Sequence, residues 1–441
     1  MKKILLIIAA VALVAVSCKK EPKNVPVPVT VSLEMNGAAY AAADVTVTLR
    51  DLNGTASFEA KTDAAGTAEF NVLPGFYEAN TQFKKAEEGK AFVYNGVNSN
   101  VTVVKGGENA FKLTLVESVT NQIVVKELYN GGVTCKVVDA SGKEGTKTFQ
   151  NDSYVILYNN SDQPADASNI CFAAINPSNA HATNKYLVDG KLSYEADGWL
   201  PAGWAIWWFN TTVTIKPWSQ IIVAINGAID HTATYAESVD LSKADYVMYD
   251  PESGFNKAES YPAPSANIPQ TNYLQTAPYT KATAWVLSVN SPAFVIFRHD
   301  NPEALSKDSA NYDLTGGSSA PCVKVPVADV VDAIEVFAIG SEAKSNKRLT
   351  SSIDAGSVLF TNKMGYTLYR NVDKAATEAI EGNKEKLVYN YAGGTADIEG
   401  GSTDASGIDA EASIKNGAII VYQDTNNSTK DIHLRKVSSL K

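Results

Sequence analysis

The sequence has few of the residues and none of the motifs on which common enzyme and metal sites depend. Its 441 residues include only four histidines. They are His181, His231, His299 and His433, scattered singly, whereas a zinc site needs three or four converging ligands. The G-x-S-x-G, H-E-x-x-H, P-loop and G-x-G-x-x-G patterns are also missing. We therefore expect no metal centre, no cofactor and no enzymatic activity.

Cysteine is equally scarce, with four in the chain. After Cys18 there remain Cys135, Cys171 and Cys322, which allow at most one disulfide and leave one thiol over. This excludes a fold held together by a disulfide framework. We expect these three side chains to be buried apolar thiols.

Positive charge and long apolar runs are limited too. The formal net charge is −10, and an acidic protein lacks the basic face that nucleic acids require. Beyond the first residues, no apolar run approaches the roughly 18 residues of a membrane-spanning helix. The composition therefore predicts a body without a nucleic-acid partner and without a spanning helix.

The chain begins with MKKILLIIAAVALVAVSCKK. Lys2 and Lys3 precede an apolar stretch, the arrangement of a secretory signal, and AVSC at residues 15–18 resembles a bacterial lipobox. The resemblance implies removal of residues 1–17, acylation of Cys18 and attachment to the outer membrane, facing either the surface or the periplasm. Several acyl chains hold a protein on a membrane almost irreversibly. The alternative is an ordinary signal peptide that happens to precede a cysteine.

Two all-β domains follow a tether at residues 18–28. Residues 29–118 alternate apolar and polar side chains, as Val45, Val47 and Leu49 do in DVTVTLRDLNG, which predicts an antiparallel β-sandwich. The segment TDAAGTAEFNVLPGFYEA resembles the prealbumin-like, carboxypeptidase-regulatory-type repeat, with Asp63 and Gly66 in its turn. That resemblance implies a spacer or stalk.

Residues 119–441 are predicted to form a larger β-sandwich with long loop insertions. VVKELYNGG followed by DSYVILYNNSD resembles the opening of a lamin-tail-type, immunoglobulin-like domain. These segments, together with IKPWSQIIVA, DVVDAIEVF and YQDTNNSTKDI, resemble an uncharacterised family of Bacteroidota outer-membrane lipoproteins. The family is defined only by a domain of unknown function. The resemblance implies a location and an architecture but no reaction. Residues 393–413, which are acidic and rich in glycine and serine, are predicted to be a mobile surface loop.

Four of the six tryptophans lie in GWLPAGWAIWWFN. Trp199, Trp204, Trp207 and Trp208 are compatible with packing inside a sandwich or with a surface for a ligand or partner. On a regular strand Trp207 and Trp208 point to opposite faces, so one can join the core while the other meets solvent. We expect mostly packing, with one or two rings exposed.

Acidic residues offer two further candidates. Asp245, Asp250 and Glu252 lie close together in KADYVMYDPES, and paired carboxylates can serve a glycosidase without a local motif. Such acids usually face solvent.

The segment QDTNNSTKD carries Asp424, Asn426 and Asp431, whose oxygens suit calcium. It lacks the usual calcium-loop spacing, and Asx residues also stabilise turns, which is the reading we prefer. Asp308-Ser309-Ala310 resembles the short O-glycosylation motif of Bacteroidota, with Ser309 as the acceptor.

These observations predict a lipid-anchored, non-enzymatic binding or accessory module of the outer membrane. By analogy with lipoproteins of that phylum, its partner is a TonB-dependent receptor. The alternative is a carbohydrate-binding lipoprotein that uses the Trp199–Trp208 cluster, and an unrecognised hydrolase is the third reading.

Overall fold

The computed structural model describes residues 25–87, 90–285 and 287–441. Strands dominate them and the α-helices are short, which confirms the all-β, multi-sandwich prediction. Residues 1–24, with the predicted signal, Cys18 and most of the tether, lie outside the described part. The first strand starts at Val27, inside the segment predicted as tether. None of the helices in the described ranges has the length and apolarity needed to cross a membrane.

The chain divides into two compact units. Unit 1 consists of residues up to Asn80 together with Val97–Thr114, and unit 2 of Thr81–Gly96 together with Leu115–Lys441. The first eight strands are β1 Val27–Met35, β2 Ala38–Ala39, β3 Thr46–Asp51, β4 Ser57–Lys61, β5 Thr67–Val72, β6 Gly75–Glu87, β7 Lys90–Val103 and β8 Ala110–Val119.

The sheet of these strands has the order β2-β1-β8-β7-β6-β3-β4, and β5 also pairs with β1. Val29, Val31 and Leu33 of β1 are buried while their neighbours are more exposed, the period of a strand with one face on a core. Asp63 accepts hydrogen bonds from the backbone N–H groups of Ala65 and Thr67, both at 2.9 Å. This predicted turn joins β4, which pairs with β3, to β5, which pairs with β1.

The first predicted domain and unit 1 differ in extent. The prediction placed residues 81–96 and 115–118 in the first domain, whereas their contacts group them with unit 2. Asn95 donates a hydrogen bond to the Thr425 carbonyl at 2.6 Å, and Lys84 lies 3.6 Å from a carboxylate oxygen of Asp373. Contacts between residues so far apart in the sequence cannot be predicted from the local alternation of apolar and polar side chains.

The remaining strands belong to unit 2. They are β9 Ile123–Tyr129, β10 Val133–Val138, β11 Glu144–Phe149, β12 Tyr154–Asn159, β13 Ala165–Asp166, β14 Ile170–Ile175, β15 Leu187–Val188, β16 Lys191–Leu192, β17 Trp199–Trp208, β18 Thr214–Ile215, β19 Gln220–Ala224, β20 Tyr246–Val247, β21 Gln275–Thr276, β22 Ala293–Arg298, β23 Tyr312–Asp313, β24 Cys322–Pro326, β25 Val330–Ala338, β26 Val358–Phe360, β27 Thr367–Arg370 and β28 Ile432–Arg435. The α-helices are α1 Pro302–Lys307, α2 Lys374–Ala379, α3 Ala410–Lys415 and α4 Ser428–Asp431.

Two sheets organise unit 2. One has the order β20-β19-β12-β9-β27-β28, and the other has the order β23-β24-β17-β14-β22-β25-β26 with β21 also paired to β17. A large apolar core contains side chains of both, for example Val125 and Leu157 from the first and Phe172 and Trp207 from the second.

Further apolar clusters cover the outer faces of these sheets. Tyr129 and Ile156 of the first sheet and Ala173 and Val295 of the second belong to such clusters. Every residue of β9, β12 and β14 is consequently buried. Strands covered on both faces are apolar on both faces, which explains runs such as YVILYN.

The segment 393–413 differs from the predicted mobile surface loop. Thr395, Asp404 and Ile408 are buried, and α3 begins within the segment at Ala410. Asp404 accepts a hydrogen bond from the Val372 N–H at 2.9 Å. Backbone and side-chain hydrogen bonds to distant residues thus order a segment that has few large apolar side chains of its own.

Candidate functional site

The tryptophan segment is strand β17, in the interior of the second sheet. Trp207 is 0% exposed in the core between the sheets, and Trp208 is 8% exposed in the cluster on the opposite face. Apolar clusters cover both faces of this strand, so neither Trp207 nor Trp208 meets solvent to a large extent. Trp207 therefore cannot be part of a ligand surface, while Trp199 and Trp204 remain half-buried.

Trp204 has an unusual backbone conformation. Its φ is +70°, in the left-handed region that a bulky residue rarely adopts. The pairing between β14 and β17 shifts register here, between Phe172 and Ala174, as at a β-bulge. The indole Nε1 is buried and has no hydrogen-bond partner among the described residues. Packing of the ring must therefore compensate for the backbone strain.

Replacing Trp204 by glycine is expected to destabilise the protein less than replacing it by alanine, by about 1 kcal/mol. An L-residue in the left-handed region costs roughly 1–2 kcal/mol, and glycine avoids that cost. Urea unfolding of the two variants measures the difference. The matched control is Ile206 in the same strand, which lacks a positive φ, and there the alanine variant should be the more stable. An alanine variant at least as stable as the glycine variant at residue 204 would contradict the strain.

An acidic cleft of about 410 Å³ borders Trp208. Its lining includes Asp250, Glu252, Glu303 and Lys307. Asp250 accepts a hydrogen bond from the Thr276 N–H at 3.2 Å. The cleft therefore combines the edge of one buried aromatic side chain with several carboxylates.

Asp245, the third acid of KADYVMYDPES, is not among the residues that line this cleft. Its carboxylate accepts a hydrogen bond from the Ile222 N–H at 2.8 Å, and burial raises its pKa. The structure thus separates Asp245 from Asp250 and Glu252 and gives it a role in holding β19.

A second cavity, of about 240 Å³, borders Trp204. It is referred to below as the Trp204 cavity. Its lining residues include Asn176, Pro177, Ser178, Thr183, Lys185, Tyr186 and Trp204. These side chains supply two aromatic rings, hydroxyl and amide groups, and one ammonium group.

The proposed calcium ligands instead surround an arginine. Asp424 and Asp431 lie 3.7 and 3.9 Å from Arg370, whose guanidinium also pairs with Asp332. Burial raises the pKa values of Asp424 and Asp431 to about 6 each, while the positive charge of Arg370 lowers them. The positive charge among these carboxylates therefore comes from the Arg370 guanidinium.

The turn interpretation of QDTNNSTKD describes its geometry well. The Asp431 carboxylate accepts hydrogen bonds from the backbone N–H groups of Thr425 and Asn427, and Asn426 adopts φ +51°. Asn427 caps α4 by accepting from the Thr429 N–H at 3.1 Å. Within the described ranges, no three His, Cys, Asp or Glu side chains are grouped so as to hold a metal ion.

Sequence reasoning missed a fully buried ion pair. Glu335 and Arg348 are each 0% exposed, and Arg348 donates to Glu335 from Nε at 2.9 Å and from a terminal nitrogen at 2.5 Å. The Glu335 carboxylate also accepts from the backbone N–H groups of Arg348 and Leu349. No local motif signals such a pair, since glutamate and arginine are common on surface strands.

The three cysteines and His433 are buried within the fold. Cys135, Cys171 and Cys322 are free and buried, and burial raises the pKa of Cys135 to about 11, which makes a thiolate unfavourable. Burial lowers the pKa of His433 to about 3, and its ring nitrogens bond Asn371 and Tyr391.

Ser309 is exposed in a single 3₁₀ turn. Asp308 caps this turn by accepting from the Ala310 N–H at 2.9 Å. The hydroxyl is accessible at the surface, as the predicted glycosylation requires.

Comparison with known proteins finds one matching family and several similar structures. Residues 216–389 match the family described as "Protein of unknown function (DUF4876)". A DUF4876 family protein from Bacteroides thetaiotaomicron is similar over 92% of this chain and 95% of its own, with 20% identity and a TM-score of 0.50. A DUF3823 family protein from Parabacteroides merdae matches 70% of this chain and 98% of its own at 7% identity, with a TM-score of 0.15. No curated protein matches the chain.

The similarity to the Bacteroides protein supports the fold of this chain, whereas the TM-score of 0.15 for the Parabacteroides protein is too low to support any conclusion. Residues 216–389 include β19, β20 and β27 of the first sheet of unit 2, β21 to β26 of the second, and most of the segments that line the acidic cleft. Residues 216–389 therefore resemble an uncharacterised domain of unknown function of the DUF4876 type, and the chain has a fold similar to that of the Bacteroides protein.

Proposed function

We propose that this protein is a non-enzymatic binding or accessory module, held on the outer membrane by lipid at Cys18. The first sandwich acts as a spacer, and the second presents its clefts to a partner. One observation carries the non-enzymatic part of the proposal. The buried Glu335, Asp431 and His433 are each engaged in hydrogen bonds that hold the fold.

The open clefts support the binding part of the proposal. The acidic cleft and the Trp204 cavity are both concave and combine polar groups with an aromatic side chain in the lining, a combination that ligand sites use to orient their ligands. We propose an outer-membrane receptor of the TonB-dependent type as the partner. The anchor is compatible with either leaflet, so the module faces the surface or the periplasm.

Replacing Cys18 by alanine is expected to release the protein from the outer-membrane fraction. Acyl chains contribute about 0.8 kcal/mol for each buried methylene, so their loss removes the attachment. Membrane fractionation and mass spectrometry of the N-terminal peptide measure the change. Ser17→Gly, which retains a small residue before the cysteine, is the matched control and should stay membrane-bound. An unlipidated, freely secreted wild-type protein would overturn the anchor.

The partner is tested separately from the anchor. The wild-type lipoprotein, solubilised from outer membranes in detergent, is expected to co-purify with one receptor in a constant ratio. Recovery of the lipoprotein alone, under conditions that preserve known membrane complexes, would contradict an accessory role.

Carbohydrate binding is the second candidate function. It is favoured by the position of Trp204 and Trp208 beside the two cavities. The Trp207–Trp208 pair does not form an exposed platform, so any sugar site must lie at the half-buried Trp204 or at the edge of Trp208.

A further inference from the structure

We propose that the Trp204 cavity binds one ring of an acidic sugar, a uronic acid residue of a longer glycan. The ring lies against the indole of Trp204 and the carboxylate lies near Lys185. This inference rests on the carbohydrate-binding candidate and assigns it a site and a ligand charge. It is independent of the lipid anchor.

The conformation of Trp204 is the first reason. A bulky side chain at φ +70° is strained, and strain of this kind concentrates at ligand sites because surrounding structure must maintain it. A hydrogen bond from the indole does not explain the conformation, since Nε1 has no partner among the described residues. What the conformation achieves is to place a half-buried aromatic ring in the wall of a cavity.

The close approach of the neighbouring backbone is part of the same arrangement. A Cβ atom at Gly203 would lie 2.6 Å from the side-chain oxygen of Asn176. The Asn176 side chain, which lines the cavity together with Trp204, thus lies directly against the β17 backbone, and a larger residue at position 203 would require it to shift. The Asn176 amide and the Trp204 ring are therefore supported by the same stretch of β17.

The charge of the lining indicates an anion. Lys185 is exposed, and none of the described residues that line the Trp204 cavity is a carboxylate. Lys185 donates to the Gly316 carbonyl at 3.2 Å, which leaves two of its three N–H donors for a ligand. The hydroxyls of Ser178 and Thr183 and the amide of Asn176 suit sugar hydroxyl groups. The acidic cleft at Trp208, in contrast, would repel a carboxylate.

The size of the cavity limits the ligand to one ring. Its volume of about 240 Å³ is below the roughly 300–1,000 Å³ of sites for drug-sized molecules. A single pyranose fits this space, while adjoining residues of a glycan would extend into solvent. An aromatic face supplies the apolar contact, and the ammonium group supplies a charge-assisted hydrogen bond.

Calorimetric titration with digalacturonate and with digalactose, its neutral counterpart, tests the proposal on the protein from Cys18 onward in detergent. Wild type is expected to bind the uronate at least tenfold more tightly than the neutral sugar. Lys185→Gln should weaken uronate binding about tenfold, because a hydrogen bond to a charged group is lost, and should leave the neutral sugar unaffected. Lys191→Gln, an exposed lysine outside the lining, changes the net charge equally and should have no effect.

The ring is tested by Trp204→Gly, which suits the backbone conformation and removes the indole. This variant should lose binding of both sugars while its melting transition stays cooperative. Equal binding of the two sugars by wild type, or a Lys185→Gln variant that binds uronate like wild type, would overturn the acidic-sugar site and leave carbohydrate binding in place. No binding of either sugar would overturn both, whereas the anchored-module proposal has its own test at Cys18.

Discussion

Replacing Glu335 by glutamine is expected to lower the free energy of unfolding by about 3–5 kcal/mol. Glu335 and Arg348 are both 0% exposed, so the substitution leaves a buried guanidinium without its counter-charge. The size and shape of the side chain are preserved, and the loss therefore reports charge rather than packing. Urea or guanidinium unfolding followed by fluorescence measures it.

An exposed ion pair provides the matched control. Glu303 and Lys307 on α1 lie 2.5 Å apart, with side chains 60% and 65% exposed. Glu303→Gln is expected to change the free energy of unfolding by less than about 1 kcal/mol, because water screens the pair. A Glu335→Gln variant as stable as the Glu303→Gln variant would show that the buried pair does not hold β25 to the segment after it.

Replacing Trp207 by alanine is expected to cost about 3–5 kcal/mol, through the lost burial of the indole and the cavity it leaves. Trp207 is 0% exposed and lies 5.8 Å from the Phe255 ring and 6.1 Å from the Tyr261 ring, between centroids. The free energy of unfolding in denaturant measures this loss, and sugar binding at the Trp204 cavity should persist in the fraction that remains folded.

Two further substitutions separate packing from polar effects. Trp207→Phe should cost much less than Trp207→Ala, because Nε1 has no hydrogen-bond partner among the described residues and no hydrogen bond is lost. Trp199→Ala, at a half-buried position of the same strand, should also cost less. If Trp207→Ala unfolded at the wild-type denaturant concentration but lost a ligand, the core assignment of this ring would be wrong.

The local sequence patterns predicted well which segments form strands, but they predicted poorly which segments pack against one another. Alternation in DVTVTLRDLNG and the short β-branched runs of unit 2 indicated strands because the period of two is a property of the chain itself. The Asp63 turn was also predictable, since its hydrogen bonds join residues only two and four positions apart. The same patterns said nothing about the grouping of residues 81–96 with unit 2.

Burial of both faces of β17 was not apparent from the sequence, although packing was the preferred interpretation of its tryptophans. Because Trp207 and Trp208 lie on opposite faces of a strand, the sequence left open whether one of them meets solvent, and nothing in GWLPAGWAIWWFN reveals that an outer layer covers the second face. The bulge at Trp204 was equally hidden, because tryptophan gives no sign of a left-handed backbone in the way that glycine does. Ligand assignment in this region therefore required the tertiary structure.

By itself, the sequence determined that this is an all-β protein poor in metal-binding and catalytic motifs, because composition and short-range periodicity carry that information. The tertiary structure alone decided which charges are paired and which acidic segments are packed. Arg370 meets Asp332 and Asp431 across 38 and 61 residues of sequence, and Asp404 holds Val372 across 32. Burial fixes such pairs, because a charge or polar group removed from water needs a partner wherever the fold provides one.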